Sequence, residues 1–288
     1  MPESLSYEET SRSTKVGGLA VHYHEAGSGY PLVMLHGAGP GVSAWSNFSG
    51  NLPAYSEHFR TFLIDQPGFG GTEGPAEYDR HYLSWTAAML AGFLDDQGLD
   101  KVHLIGNSLG ASVVVRFALD FPDRAGRLVL MGPGSALSMG LFAPRPSEGI
   151  RRLMEFGAPP GPTREKMAAF LRTLVYDQSL VTEELIEDRF LAATNPATDG
   201  LGAMQRANRN PAFAEAGELW REASRIQHEV LITWGREDRV QPLDGAFVGF
   251  RLLENARLHV FPKCGHWAMI EQRDEFQRLT TDFYLHSS

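Results

Sequence analysis

The chain has 288 residues, 43% of them hydrophobic, which is enough for one large domain or a core carrying an inserted lid, and disorder is not the expectation. Its formal charge is -9, from 35 acidic and 26 basic residues, with no stripe of Lys and Arg to track phosphates, so nucleic acid is not an expected partner. No apolar run approaches the roughly eighteen residues that span a bilayer, and the first fifteen are polar and mildly acidic rather than signal-like; the expectation is a cytoplasmic protein without membrane association.

Short apolar runs alternate with helical patterns along the chain, which predicts an α/β fold with a mostly parallel central sheet and helices on both faces. Val21 to Glu25 reads as an antiparallel edge. Buried strands are predicted at Pro31 to Leu35, Phe59 to Ile64, Val102 to Gly106, Leu128 to Gly132, Val230 to Gly235 and Leu258 to Phe261. Ser84 to Gln97 reads as a crossover helix with an N-cap serine and Gly98 after its end. Leu109 to Asp120 reads as a second one, stopped by Pro122. From Pro133 to about Pro211 the pattern turns all-helical, with helices near Ser147 to Phe156, Thr163 to Val175 and Thr182 to Ala193 between proline-rich breaks. Such an insertion sits over the C-terminal strand edge, where open α/β sheets place ligands. The expected division is a discontinuous core, 1–134 and 211–288, with a helical lid at 135–210. Cys264 is the only cysteine, so no intrachain disulfide forms, and it reads as a packing residue.

Chemistry concentrates at the strand ends. Gly106-Asn107-Ser108-Leu109-Gly110 lies between a predicted strand and a predicted helix and matches the nucleophile elbow, G-x-S-x-G, of the α/β-hydrolase fold. A serine hydroxyl at neutral pH needs a histidine to take its proton and a carboxylate to hold that histidine's tautomer. His266 follows the last strand. Gly235-Arg236-Glu237-Asp238 follows the strand before it and puts either Glu237 or Asp238 at the edge, in the order Ser, acid, His, with Asp238 preferred. His36-Gly37-Ala38-Gly39-Pro40-Gly41 follows a strand as the oxyanion loop does; the N–H groups of Ala38 and Leu109 are the candidate donors. A dinucleotide fingerprint in this loop is disfavoured because Pro40 and Gly41 break its spacing. His22 and His24 alternate on one strand face, but no third ligand is near, so no metal site is expected.

Taken together, HGAGPGVSAWSNF, DQPGFGGT, GNSLGAS, WGREDRVQPLDG and CGHWAMIE resemble the meta-cleavage-product hydrolases, which cut a carbon–carbon bond in ring-opened aromatic compounds. The likeness covers nearly the whole chain. VRFALDFPDRAGRLVLMGPG, LFAPRPSEG and VYDQSLVTEEL, with the RF that follows, look most like the hydrolase of ring-cleaved steroids. The resemblance implies a triad of Ser108, Asp238 and His266, an anionic dienol substrate, and substrate contacts from Gly37, Gly39, Asn47, Asn107, Arg189 and Trp267. Without the resemblance, Arg189 in Glu187-Asp188-Arg189 reads as a lid ion pair and Trp267 equally well as core. Val240, Leu153, Met154, Phe170 and Leu174 are expected around the variable half of the substrate. Ala38 departs from relatives that carry Gly there; a backbone donor tolerates the methyl if φ stays negative.

The implied reaction has His266 assist ketonisation of the dienol, Ser108 attack the ketone, and water then cleave the acyl-enzyme, with no metal or organic cofactor. Relatives suggest a homodimer or homotetramer. The rival functions on the same scaffold are a carboxylesterase or cofactor-free haloperoxidase, and a non-catalytic small-molecule receptor. Dehalogenases and epoxide hydrolases of this architecture use an aspartate where Ser108 stands.

Overall fold

A computed structural model of the protein describes residues 5–75, 77–134, 137, 141–195 and 199–286. Eight strands form one sheet: β1 (Ser11–Val16), β2 (Leu19–Ala26), β3 (Tyr30–Leu35), β4 (Phe59–Ile64), β5 (Val102–Asn107), β6 (Ala125–Met131), β7 (Val230–Gly235) and β8 (Ala256–Phe261). Their order is β1-β2-β4-β3-β5-β6-β7-β8. β1 and β2 pair antiparallel, as do β2 and β4; every later pair is parallel. The parallel sheet with helices on both faces is the expected architecture.

Alternate residues of the central strands feed two cores, as the period of two dictates. Val33 and Leu35 point into one with Leu104, Val114 and Phe93, while Leu32 and Met34 point into the other with Ile105, Val129 and Phe276. The helices α1 (Tyr7–Thr10), α2 (Ala44–Phe48) and α3 (Leu52–Ser56) come first, followed by the crossover helices α4 (Tyr82–Asp96) and α5 (Leu109–Asp120). Between β6 and β7 lie α6 (Glu148–Gly157), α7 (Arg164–Leu174), α8 (Glu183–Ala193) and α9 (Gly200–Arg209), with no strand among the described residues. The core closes with α10 (Ala246–Leu252), α11 (Ala268–Glu271) and α12 (Arg273–Leu285).

Four expectations shift. The edge strand is β1, not β2: SRSTKV is polar because none of it is buried, so it lacks the apolar run that marks its neighbours. α4 starts at Tyr82 rather than Ser84, because the ring of His81 accepts the N–H of Leu83 and caps the helix before the serine. β6 starts at Ala125, three residues early, and α9 adds a fourth helix to the inserted segment. Gly98 stands at φ +65° after α4, with Leu99 N–H bonded to Leu94 O at 2.8 Å, the glycine-terminated helix end that was anticipated. No helix among the described residues is long and apolar enough to cross a membrane.

Candidate active site

Ser108 joins β5 to α5 at φ 53°, ψ -109°, a conformation side chains avoid unless the surroundings impose it. They do so here: its N–H bonds Met131 O on β6 at 2.8 Å, and both flanking glycines are in close passes. A β-carbon at Gly106 would lie 2.4 Å from Ala111 N, and one at Gly110 would lie 2.1 Å from Leu35 O. The turn exists only because positions 106 and 110 carry no side chain.

His266 comes off the loop after β8, with its Nδ1 2.7 Å from Asp238 Oδ2 on the loop after β7; both side chains are buried. The other carboxylate oxygen, Oδ1, accepts the N–H groups of Val240 at 2.8 Å and Gln241 at 2.9 Å, which fixes the plane of the carboxylate. Nδ1–H donates to Asp238, leaving Nε2 as the basic nitrogen. Glu237 faces elsewhere: it accepts the N–H of Cys264 at 3.0 Å and pairs with Arg236. Adjacent carboxylates on one turn point to opposite sides, and only Asp238 meets the ring.

Ser108 and His266 share a cavity of about 10 Å³, with room for roughly one water. Gly37, Ala38, Asn47, Asn107, Arg189 and Trp267 also line it, with Phe170 and Leu174 from α7. As first residue of α5, Leu109 has an N–H with no carbonyl one turn earlier, so that donor is open beside Ser108. Asn47 Oδ1 accepts Gly37 N–H at 3.4 Å, and its Nδ2 is buried with no hydrogen-bond partner. Asn107 reaches His266 O at 3.4 Å.

Arg189, on α8, is 4% exposed and donates through Nε to Pro40 O at 3.0 Å. No carboxylate among the described residues lies within 4 Å of it, so the ion pair that its neighbours suggested does not form; Glu187 binds Arg164 instead. Loss of water lowers the pKa of Arg189 to about 10. Its guanidinium carbon lies 5.8 Å from the ring centre of Trp267. Gly39 is adjacent: a β-carbon there would come within 3.2 Å of Arg189 Nη2.

Val240 does not line this cavity. Its N–H holds Asp238 and its side chain packs on Gly149. Leu153 and Met154 line a second, larger pocket of about 670 Å³ on the far side of the Gly39–Val42 turn. Size does not identify the reactive site here, since that larger pocket lacks Ser108 and His266.

His36 was overlooked as a site residue. Its Nδ1 lies 2.7 Å from Gly37 O, and Nε2 accepts the N–H of Gln66 at 2.9 Å. Burial lowers its pKa, which fits a neutral ring bonded on both sides that fixes the start of the loop after β3. A histidine directly before a glycine at a strand end was the available signal. His22 and His24 are tied into local bonds: His22 Nδ1 to Asp65 at 2.8 Å, its Nε2 to Ser11 Oγ at 2.9 Å, and His24 Nδ1 to Thr10 at 2.9 Å. This second Ser–His–Asp string has no elbow and pins α1 and β1 to the sheet. Among the described residues no three metal-binding side chains gather.

The α/β-hydrolase fold family matches residues 30–272. The 2-hydroxy-6-oxo-6-phenylhexa-2,4-dienoate hydrolase of Burkholderia cepacia is 38% identical over 285 residues, covering 97% of this chain and 98% of that protein. The 2-hydroxy-6-oxononadienedioate/2-hydroxy-6-oxononatrienedioate hydrolase of Comamonas testosteroni is 37% identical, covering 91% and 90%. Among solved structures, a variant of the meta-cleavage product hydrolase from Pseudomonas fluorescens IP01, complexed with acetates, superposes with a TM-score of 0.84 at 32% identity, covering 96% and 98%. Sheet order, elbow and full-length likeness agree: the chain belongs to the α/β-hydrolase family and is a hydrolase of its meta-cleavage product branch.

Proposed function

We propose that the protein hydrolyses the carbon–carbon bond next to the ketone of a 2-hydroxy-6-oxo-dienoate, using Ser108 as nucleophile, His266 as base and Asp238 as the carboxylate that orients it. The observation that carries this reading is Arg189, a buried guanidinium without a carboxylate partner, on the wall of the cavity that holds Ser108 and His266. A planar guanidinium suits a carboxylate, and a neutral ester has no use for it. The unpartnered Nδ2 of Asn47 supplies a second donor for the substrate's oxygens.

The chemistry follows. His266 moves a proton from the dienol oxygen to carbon, giving the keto form, whose conjugated carbonyl can accept electrons. Ser108 Oγ then attacks the distal ketone while its proton passes to His266 Nε2. The N–H groups of Ala38 and Leu109 hold the resulting oxyanion. The carbon–carbon bond breaks, its electron pair flows into the conjugated carbonyl, and the proton on His266 completes the 2-hydroxydienoate. Water, deprotonated by His266, releases the carboxylic acid.

Helices α6 to α9, within residues 135–210, act as a lid over the core in this reading. Arg189 of α8 and Phe170 and Leu174 of α7 give it three side chains in the cavity. The finer assignment, a steroid-derived group on the ketone, rests on the strings from Val115 to Gly134, Leu141 to Gly149 and Val175 to Leu185. A kcat/KM panel of ring-opened dienols bearing steroid-derived, phenyl and alkyl ketones, run beside p-nitrophenyl esters, tests both levels. Dienols should turn over faster than esters, and Ser108→Ala should abolish turnover while leaving substrate bound with an altered absorbance. Faster ester turnover would identify a carboxylesterase, and retained turnover in Ser108→Ala would remove the serine from the mechanism.

A further inference from the structure

Each half of the His266–Asp238 pair is held by a different lid helix. On the acid side, Ser147 Oγ, at the start of α6, donates to Val240 O at 2.7 Å, and Gly149 N–H donates to Arg239 O at 2.9 Å. On the base side, His266 N–H donates to Leu174 O at 2.7 Å, at the last residue of α7. A β-carbon at Gly265 would lie 2.6 Å from that same carbonyl, so the two backbones meet without a side chain between them.

Two charged side chains strengthen this junction. Glu271 bridges it with one carboxylate: Oε1 accepts the N–H groups of Tyr176 at 2.7 Å and Asp177 at 2.8 Å, just past α7, and Oε2 accepts Gly265 N–H at 2.6 Å, next to His266. Burial raises the pKa of this carboxyl and the three N–H bonds oppose the rise. Arg239, next to Asp238, sends its guanidinium to Arg172 O and, at 3.1 Å, to Val175 O. Carbonyls at a helix end have no partner within the helix, and a cation there is also favoured by the helix dipole. Leu174 meanwhile lines the cavity beside Ser108.

We propose that Glu271 and Arg239 are positioning residues that couple the seating of α7 over the cavity to the orientation of the His266–Asp238 pair, so that closing the site and assembling the triad are one event. This rests on the roles proposed above for His266 and Asp238. Neither residue touches the substrate; both act through the backbone of the loops that carry the base and the acid.

Glu271→Gln keeps the size of the side chain but leaves one acceptor oxygen and sets an NH₂ donor against a backbone N–H, so one of the two tethers breaks. On the best dienol, kcat should fall between about ten- and a hundredfold. KM should change less than about threefold, and the acid limb of the kcat/KM–pH profile should shift, because the misplaced group is the base. Arg239→Gln should act in the same direction, and the double variant should lose less than the product of the two single losses. Circular dichroism and Tm show that each variant is folded. A Glu271→Gln enzyme with wild-type kcat and pH profile overturns the proposal, as does a loss of kcat matched by loss of folded protein. Retained turnover in Ser108→Ala would count against the serine reading; inactive Ser108→Ala beside an unaffected Glu271→Gln would count against the coupling alone.

Discussion

A guanidinium removed from water without a counter-ion destabilises the fold that holds it, by several kcal/mol for a fully desolvated charge. Arg189 is in that position, with one carbonyl and one aromatic face for company. Arg189→Gln should therefore leave Tm unchanged or raise it, while KM for dienoates rises by roughly 10- to 100-fold, the worth of a hydrogen bond to a charged group. Neutral p-nitrophenyl esters should be little affected. Equal losses on both substrate classes, or a fall in Tm, would make Arg189 a structural residue. Its surroundings were the hardest thing to see in the sequence, because Glu187 and Asp188 precede it and a helix rotates each neighbour to a different face. The contact of an acid at this turn with His266 was legible from chain order, although register alone left Glu237 beside Asp238. Val240, expected beside the substrate, lies outside the cavity that holds Ser108: its backbone N–H bonds Asp238 while its side chain packs on Gly149.

At the scale of elements, the elbow was legible because its requirements are local. Two glycines, a strand and a helix start must coincide within five residues, and the clashes at Gly106 and Gly110 show why. Gly110→Ala would force a methyl against Leu35 O, and also against His36 O at 2.7 Å, both of them backbone. We expect a loss of about 2–3 kcal/mol, or a Tm lower by roughly 3–5 °C in a melt, with activity falling further because the collision displaces the loop after β3 beside Ser108. An unchanged Tm would mean that the turn is looser than described. β1 was not legible, since an edge strand facing water has no apolar signature, and α4 hid its true cap behind a histidine. The hydrogen bonds from α6 and α7 to the loops that carry Asp238 and His266 join residues about 90 positions apart, which no local pattern encodes.

At the scale of the whole molecule, buried histidines set an acid limit. His24, His81 and His103 each have a pKa lowered by burial from 6.5 to about 4, and His36 is shifted in the same direction. A histidine whose folded pKa lies below its unfolded value takes up a proton on unfolding between the two, so stability falls as pH drops from about 6.5 to about 4. Asp65, where burial works to raise the pKa but the bond to His22 and the N–H groups of Ala44 and Gly71 lower it on balance, adds a further loss as pH falls below its unfolded value of 3.8. Melts across pH 7.5 to 5 should show Tm declining as the unfolded histidines take up protons that the buried ones refuse; a flat Tm in that range would contradict the assignment. Charge also separates what the molecule does at a distance from what it does in contact. An approaching dienoate meets a body of net charge -9, while the cation proposed to hold it is roofed over and projects little field into solvent. Ionic strength acts on these unequally: at 0.1 M salt the repulsion is screened beyond about 10 Å, whereas the enclosed contact with Arg189 is largely spared. Added salt therefore speeds the encounter with an anionic substrate without loosening the grip that follows.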